Sequence, residues 1–173
     1  PLDGAEDDQP ADGEDDVAAL QPDIPMELPL RRPEPPTDIP EAKLAPANDL
    51  FGSVAEPAPL AARAIGGYTK GCLSGGVSLP INGPDWQVMR VTRNRNWGAP
   101  QLIDYMERLA SDAHALDGWP GLLVGDLSQP RGGPMITGHT THQIGLDSDN
   151  WLTPMPDRVL TDEEREEMTP VSM

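Results

Sequence analysis

Prolines and acidic residues crowd the first third of the 173-residue chain and limit where a folded domain can form. Residues 1–60 contain 12 of the 21 prolines and 15 of the 29 acidic residues, but only three basic ones. Such a segment has too little apolar surface to offset the entropy that a chain loses when it is ordered. We therefore predict an acidic, proline-rich disordered tail and linker over residues 1–60, and a folded domain over residues 61–173.

The charge of the chain disfavours nucleic acid as a partner. The formal net charge is −17 at pH 7. Proteins that bind nucleic acid neutralise its phosphates with lysine and arginine, which are scarce here. No apolar run approaches the roughly 18 residues that a membrane-spanning helix requires, so no transmembrane segment is predicted. The sequence leaves the oligomeric state open.

Two helices are predicted in residues 61–173. Apolar residues recur at helical spacing over 101–116, and a proline and a glycine flank this run. Those flanking residues are typical of a helix start and a helix end. A short acidic helix is predicted over 162–168, because Thr161 and Glu164 have the spacing of a capping box.

Short apolar or alternating runs in the same part of the chain predict strands. The predicted strands are 77–81, 86–91, 122–126 and 145–151. Large aromatic side chains contribute much of the buried area in a small core. We therefore expect three tryptophans to anchor the core: Trp86, Trp119 and Trp151.

The stretch 138–149 has the sequence Gly-His-Thr-Thr-His-Gln-Ile-Gly-Leu-Asp-Ser-Asp and holds two of the chain's three histidines. Two neutral imidazoles and a carboxylate form a ligand set that catalytic zinc favours, with a further position left for water. On a strand, alternation would place Asp147 and Asp149 on one face. We predict a metal site at His139, His142 and Asp149, with Asp147 orienting an imidazole from behind.

Other polar residues have simpler interpretations. A histidine in a loop is often only a hydrogen-bonding residue, so this alternative to metal binding stays open. His114, on the long predicted helix, is expected at the surface. Asp126 follows a predicted strand and is expected to cap the next turn rather than face the metal site.

A small basic and aromatic patch precedes the long helix. It consists of Arg90, Arg93, Arg95 and Trp97. Such a patch either binds an anionic ligand or, more commonly, forms a solvated edge. The sequence favours the solvated edge.

The histidine-rich stretch and the blocks around it resemble the penicillin-insensitive murein endopeptidases. This family belongs with the lysostaphin, D-alanyl-D-alanine peptidase and hedgehog group of zinc folds. The resemblance runs from about Ile65 to about Arg158, and the order of the blocks matches as well as the histidines. The matching blocks are 71–73, 79–81, 87–90, 123–126, 129–134, 138–149 and 151–154.

The resemblance implies a fold, a cofactor and an activity. The fold would be α+β, with a small antiparallel sheet that carries the metal ligands and helices outside. Zinc would be bound by His142 and Asp149, with His139 also at the metal. The enzyme would be exported to the periplasm and would cut D-alanyl to meso-diaminopimelyl cross-links in peptidoglycan. The general-base histidine and a disulfide partner for Cys72 would both lie beyond Met173.

The sequence also departs from the family. Ala99 stands where many relatives have histidine, and Asn150 stands where an apolar residue is usual. No histidine follows His142, so we expect an incomplete, N-terminal part of the peptidase domain that binds zinc weakly and is inactive alone. One alternative is a complete but non-catalytic relative that binds peptidoglycan or metal. Another is an iron(II) site built from the same two histidines and one carboxylate.

Overall fold

The computed structural model describes residues 45–170, a mixture of helices and small sheets that confirms the α+β class. The disorder predicted for residues 1–44 lies outside the described residues. The helices are α1 (Ala47–Gly52), α2 (Pro100–Asp117) and α3 (Asp162–Glu167), with a 3-10 turn at Val91–Arg93. The strands are β1 (Arg63–Gly67), β2 (Lys70–Ser74), β3 (Val77–Ser78), β4 (Trp86–Val88), β5 (Trp97–Gly98) and β6 (Leu122–Val124).

The strands form three two-stranded sheets. The β1–β2 and β3–β5 pairs are antiparallel, and the β4–β6 pair is parallel. A parallel pair needs a long crossover connection, and here β5 and α2 lie in that crossover. The crossover therefore places the long helix α2 next to the β4–β6 sheet.

The main hydrophobic core lies between α2 and the β4–β6 sheet. Full burial of a valine, leucine, isoleucine or methionine side chain contributes about 1.5–3 kcal/mol to folding. The helix positions predicted from apolar spacing are buried or half-buried, and the prediction of α2 is confirmed. The buried residues of this core are Leu79, Trp86, Val88, Leu102, Ile103, Met106, Ala110, Val124 and Leu127.

A second core cluster holds α3 against the other side of the sheet. Its buried members are Met89, Leu123, Trp151 and Leu160. The predicted capping box is confirmed, because Thr161 and Glu164 bond each other's backbone N–H groups at the start of α3. Trp86 and Trp151 are buried as predicted, but Trp119 is only half-buried and belongs to neither cluster.

Arg165 is a buried cation in the middle of α3. Its side chain donates to the Val88 carbonyl (2.6 Å), the Asn82 Oδ1 (2.6 Å) and the Gln87 Oε1 (2.9 Å). Burial lowers the pKa of the guanidinium, and the nearby Asp162 opposes that shift. These bonds tie the helix to the end of β4.

The strand predicted over 86–91 ends early, at Val88. Arg90 and Asn94 both have left-handed backbone (φ 56° and 52°), which breaks the extended conformation. The strand predicted over 77–81 is likewise reduced to Val77–Ser78.

The strand predicted over 145–151 is wrong. The segment is an irregular loop, and only Asn150 forms a bridge, with Val124 of β6. Gly145 has φ 67° and ends a turn in which its N–H donates to the His142 carbonyl, so the backbone there is left-handed and not extended. The Asn150 side chain is exposed and donates to the Ser148 Oγ.

The α1 segment lies within the predicted linker and contacts the domain. The Phe51 ring packs on Gly133, where an added Cβ would lie 2.4 Å from the ring. Asn94 donates a side-chain hydrogen bond to the Ala55 carbonyl. In the described part of the chain, no helix combines the length and apolar character needed to cross a membrane.

Candidate metal centre

The structure brings His139, His142 and Asp149 together. One potential ligand atom from each residue lies within 4.8 Å of the other two. The His139 Nε2 is 3.2 Å from the Asp149 Oδ2, and the His142 Nε2 is 3.5 Å from the Asp149 Oδ1. The two imidazole rings meet edge to face, with centroids 5.0 Å apart.

His142 is the buried member of this triad, with 3% of its side chain exposed. Its backbone is left-handed (φ 63°), a conformation that few residues other than glycine adopt and in which histidine, asparagine and aspartate are enriched. Gln143 holds the loop in place, since it accepts from the Gly71 N–H and donates to the Thr140 carbonyl. The histidine loop is thereby fastened to the β1–β2 hairpin.

Asp147 fixes the orientation of the His142 ring. Its Oδ2 lies 2.9 Å from the His142 Nδ1 and also accepts from the His142 backbone N–H at 3.2 Å. A carboxylate at Nδ1 favours the tautomer that carries its proton there, so the lone pair of Nε2 is free for a metal.

Asp149 reaches the site because its backbone runs beside the end of β6. Its N–H donates to the Asp126 carbonyl, and its carbonyl accepts from the Gly125 N–H. This short antiparallel contact replaces the predicted strand and aims the Asp149 carboxylate at both histidines. That carboxylate is 42% exposed, so the site opens to solvent on this side.

The donor set fits a divalent metal ion such as zinc. The Nε2 of His142 is buried and has no hydrogen-bond partner among the described residues. An unpartnered buried nitrogen is costly unless something binds it. Around a tetrahedral zinc with bonds of about 2.0–2.1 Å, neighbouring ligand atoms are about 3.3–3.4 Å apart. The two His–Asp separations, each to a different oxygen of Asp149, lie close to that spacing, and one ligand atom from each of the three residues lies within 4.8 Å of the others.

Asp126 faces this site, so the prediction that it merely caps a turn is wrong. Its Oδ2 accepts from the Arg93 Nη1 (3.0 Å) and the Arg95 Nη1 (2.8 Å), and lies 3.6 Å from the His139 Nε2. Only its position at the end of a buried strand hinted at this. The two arginines come from a loop about thirty residues earlier, and the sequence around Asp126 does not predict that this loop lies beside it.

The solvated edge favoured for the arginine patch is wrong at Arg95. Its side chain is 7% exposed and also donates to the Thr137 carbonyl at 2.7 Å. Arg95 therefore joins Asp126 to the segment that leads into the histidine loop. Arg93 remains 40% exposed. The Trp97 Nε1 donates to the Asn94 Oδ1, so the indole is held within the same loop.

His114 and Cys72 stand apart from the triad. His114 is exposed on α2, as predicted, and its Nδ1 lies 3.1 Å from the Trp119 carbonyl oxygen. Cys72 is half-buried in β2 with a free thiol. The disulfide that the resemblance implies for it remains a prediction.

Fold and site together define a small α+β domain with a candidate metal centre of two histidines and one aspartate. The chain belongs to the penicillin-insensitive murein endopeptidase family, whose family model matches residues 64–173.

Three relatives of that name illustrate the similarity. A Haemophilus influenzae protein is 51% identical over 88 residues, which cover 51% of this chain and 30% of the relative. A Klebsiella pneumoniae protein is 36% identical over 115 residues, covering 64% and 42%. A Yersinia pestis protein is 38% identical over 99 residues, covering 57% and 36%. The chain thus spans less than half the length of these relatives.

Proposed function

We propose that this chain is part of a zinc metallo-endopeptidase that cleaves peptidoglycan cross-links between D-alanyl and meso-diaminopimelyl residues in the periplasm. The observation that carries the proposal is the buried, unpartnered His142 Nε2, which faces Asp149 beside His139 in a member of this family. The names of the relatives supply the substrate class, a murein peptide bond.

The proposed division of labour follows from the contacts. His139, His142 and Asp149 hold the zinc, and Asp147 keeps the His142 ring turned toward it. When bound, zinc polarises a carbonyl oxygen and lowers the pKa of its bound water to near neutrality. The exposed Asp149 side leaves room for a substrate carbonyl to approach.

Proton transfer needs a further group. His114 is the one histidine of the sequence outside the triad, and its ring is bonded to the Trp119 carbonyl on α2. We propose that the general base comes from outside residues 1–173, and that this chain alone binds zinc weakly and cleaves nothing.

A segment exchange tests the activity. Residues 64–173 would replace the corresponding part of the Haemophilus influenzae relative, and the product would be incubated with cross-linked muropeptide dimers. We expect monomers to appear by chromatography, to disappear with His142→Ala, and to persist with His114→Ala. A folded, zinc-bound exchange protein that leaves the dimers intact would contradict the endopeptidase proposal and favour a non-catalytic relative.

A further inference from the structure

A cavity of about 150 Å³ adjoins the candidate metal centre, and arginine side chains line it. Two of the proposed metal ligands, His139 and Asp149, form one part of its wall. Arg90 and Arg93 form another part, beside Asp126. When a substrate group binds a metal at the triad, the substrate atoms next to that group would therefore lie within reach of two guanidinium groups.

Positive charge exceeds negative charge on this wall. The Asp126 carboxylate is shared by Arg93 and Arg95, so these three side chains together carry a net charge of +1. In the described part of the chain, no carboxylate lies within ion-pairing distance of Arg90, which donates to the Met168 carbonyl and lies over the Trp151 ring. With Asp149 counted as well, the three arginines Arg90, Arg93 and Arg95 still outnumber the two carboxylates of Asp126 and Asp149. An anionic group would balance the excess.

Arg93 is the arginine best able to bind such a group. Arg95 is buried and its contacts hold the Thr137 segment, so its role is structural. Arg93 contacts Asp126 through Nη1 alone and is 40% exposed. A guanidinium has five N–H donors in a planar fork, and two parallel N–H groups match a carboxylate. Donors of Arg93 therefore remain for a ligand in the cavity.

The proposed substrate has an anionic group in the corresponding place. In a D-alanyl to diaminopimelyl cross-link, the carbon that bears the amide nitrogen also bears a carboxyl group. That carboxylate is two bonds from the bond to be cleaved. If the D-alanyl carbonyl lies at the metal, this carboxylate would lie immediately beside the metal centre. The cavity has room for a carboxylate head but not for a whole cross-link.

We propose that Arg93, assisted by Arg90, forms a subsite for the free carboxylate on the amine side of the scissile bond, and that this subsite selects cross-links with a free carboxylate over amidated ones. The inference rests on the proposed function, since that function supplies the substrate. Arg93 would then determine specificity from a position outside the motif 138–149.

The test measures binding instead of turnover. The full 173-residue chain, saturated with zinc, would be titrated calorimetrically with N-acetyl-D-alanyl-meso-diaminopimelate, with its α-carboxyl next to the amide either free or converted to carboxamide. We expect the free form to bind about tenfold more tightly, as charge-assisted hydrogen bonds allow. Arg93→Gln should abolish this preference, and Arg93→Lys should restore part of it.

Controls separate the subsite from the metal site and from the fold. Arg63→Gln removes an exposed positive charge on β1, outside the cavity, and should keep the preference. Zinc affinity and the thermal midpoint should be unchanged in Arg93→Gln. Equal binding of the two probes, no binding of either, or an undiminished preference in Arg93→Gln would overturn the subsite. Failure to bind zinc would instead overturn the proposed function.

Discussion

The Asp147 carboxylate is bonded to both the ring and the backbone of His142, with its Oδ2 2.9 Å from Nδ1 and 3.2 Å from the backbone nitrogen. One oxygen thus sets the position of the loop and the tautomer of the ring. A carboxylate behind a metal-binding imidazole fixes the orientation of the ring toward the metal. The pair therefore links the shape of the histidine loop to the affinity of the proposed metal site.

Removal of this carboxylate should weaken zinc binding. We expect Asp147→Ala to lower zinc affinity about 10–100-fold, the usual effect of losing such a partner. Asp147→Asn should lose less, because its amide oxygen still accepts from Nδ1–H. The measurement is competition with a fluorescent zinc chelator. Asp104→Ala, which removes an exposed carboxylate on α2, is the matched control and should change nothing. Undiminished affinity in Asp147→Ala would refute this role.

Gly145 should not tolerate a side chain. It has φ 67°, and an added Cβ would lie 2.8 Å from the Leu73 side chain and 3.0 Å from the Ala99 backbone nitrogen. We expect Gly145→Ala to destabilise the domain by about 1–3 kcal/mol, through strain and crowding. Urea unfolding measures the change. In Gly67→Ala the added Cβ would meet nothing within 4 Å, so that variant should keep nearly full stability.

Arg165 should be a major stabilising residue of α3. Its substitution by alanine removes the side-chain donor to the Val88 carbonyl and one of two donors to the Gln87 Oε1, which still accepts from the Leu160 N–H. A buried acceptor left without a donor costs about 1–3 kcal/mol. We expect Arg165→Ala to lower the free energy of unfolding by about 2–4 kcal/mol in urea titrations. Glu167→Ala, at an exposed position of the same helix, should change it by less than about 0.5 kcal/mol. Equal effects of the two substitutions would contradict the buried clamp.

The start of α3 should weaken in acid. Hydrogen bonds from Arg158 and from the Thr161 backbone lower the pKa of Glu164 from 4.5 to about 2. A lowered pKa in the folded state stabilises the fold fully above pH 4.5, and this contribution is lost as the pH falls toward 2. The thermal midpoint of the wild-type chain should therefore exceed that of Glu164→Gln at pH 6, and the gap should close by pH 2. Salt should narrow the gap at pH 6, since the pair is exposed. A gap that stays constant with pH would show that the carboxylate charge is not involved.

Local patterns were sufficient to predict some elements. The apolar spacing of α2 and the capping box of α3 involve residues three or four positions apart, so the sequence displays them directly. The three candidate metal ligands lie within eleven residues, and one loop is enough to bring them together.

Contacts between distant segments could not be predicted in the same way. The alternation around Asp149 resembles a strand, but the left-handed Gly145 and the bond between Asp147 and His142 turn the chain into a loop. Asp126 contacts Arg93 and Arg95 in a fold where β6 is paired with β4, a contact between segments more than thirty residues apart. Arg165 lies in an acidic, surface-like sequence, and its acceptors are more than seventy residues away.

Zinc binding by the purified chain tests the central claim most directly. Zinc stoichiometry and affinity would be measured by chelator competition for the unaltered chain, His142→Ala, Asp149→Ala and His114→Ala. The account predicts one zinc per chain, lost in the first two variants and retained in the third. Zinc that binds equally well to His142→Ala, or none at any concentration the chain tolerates, would contradict it.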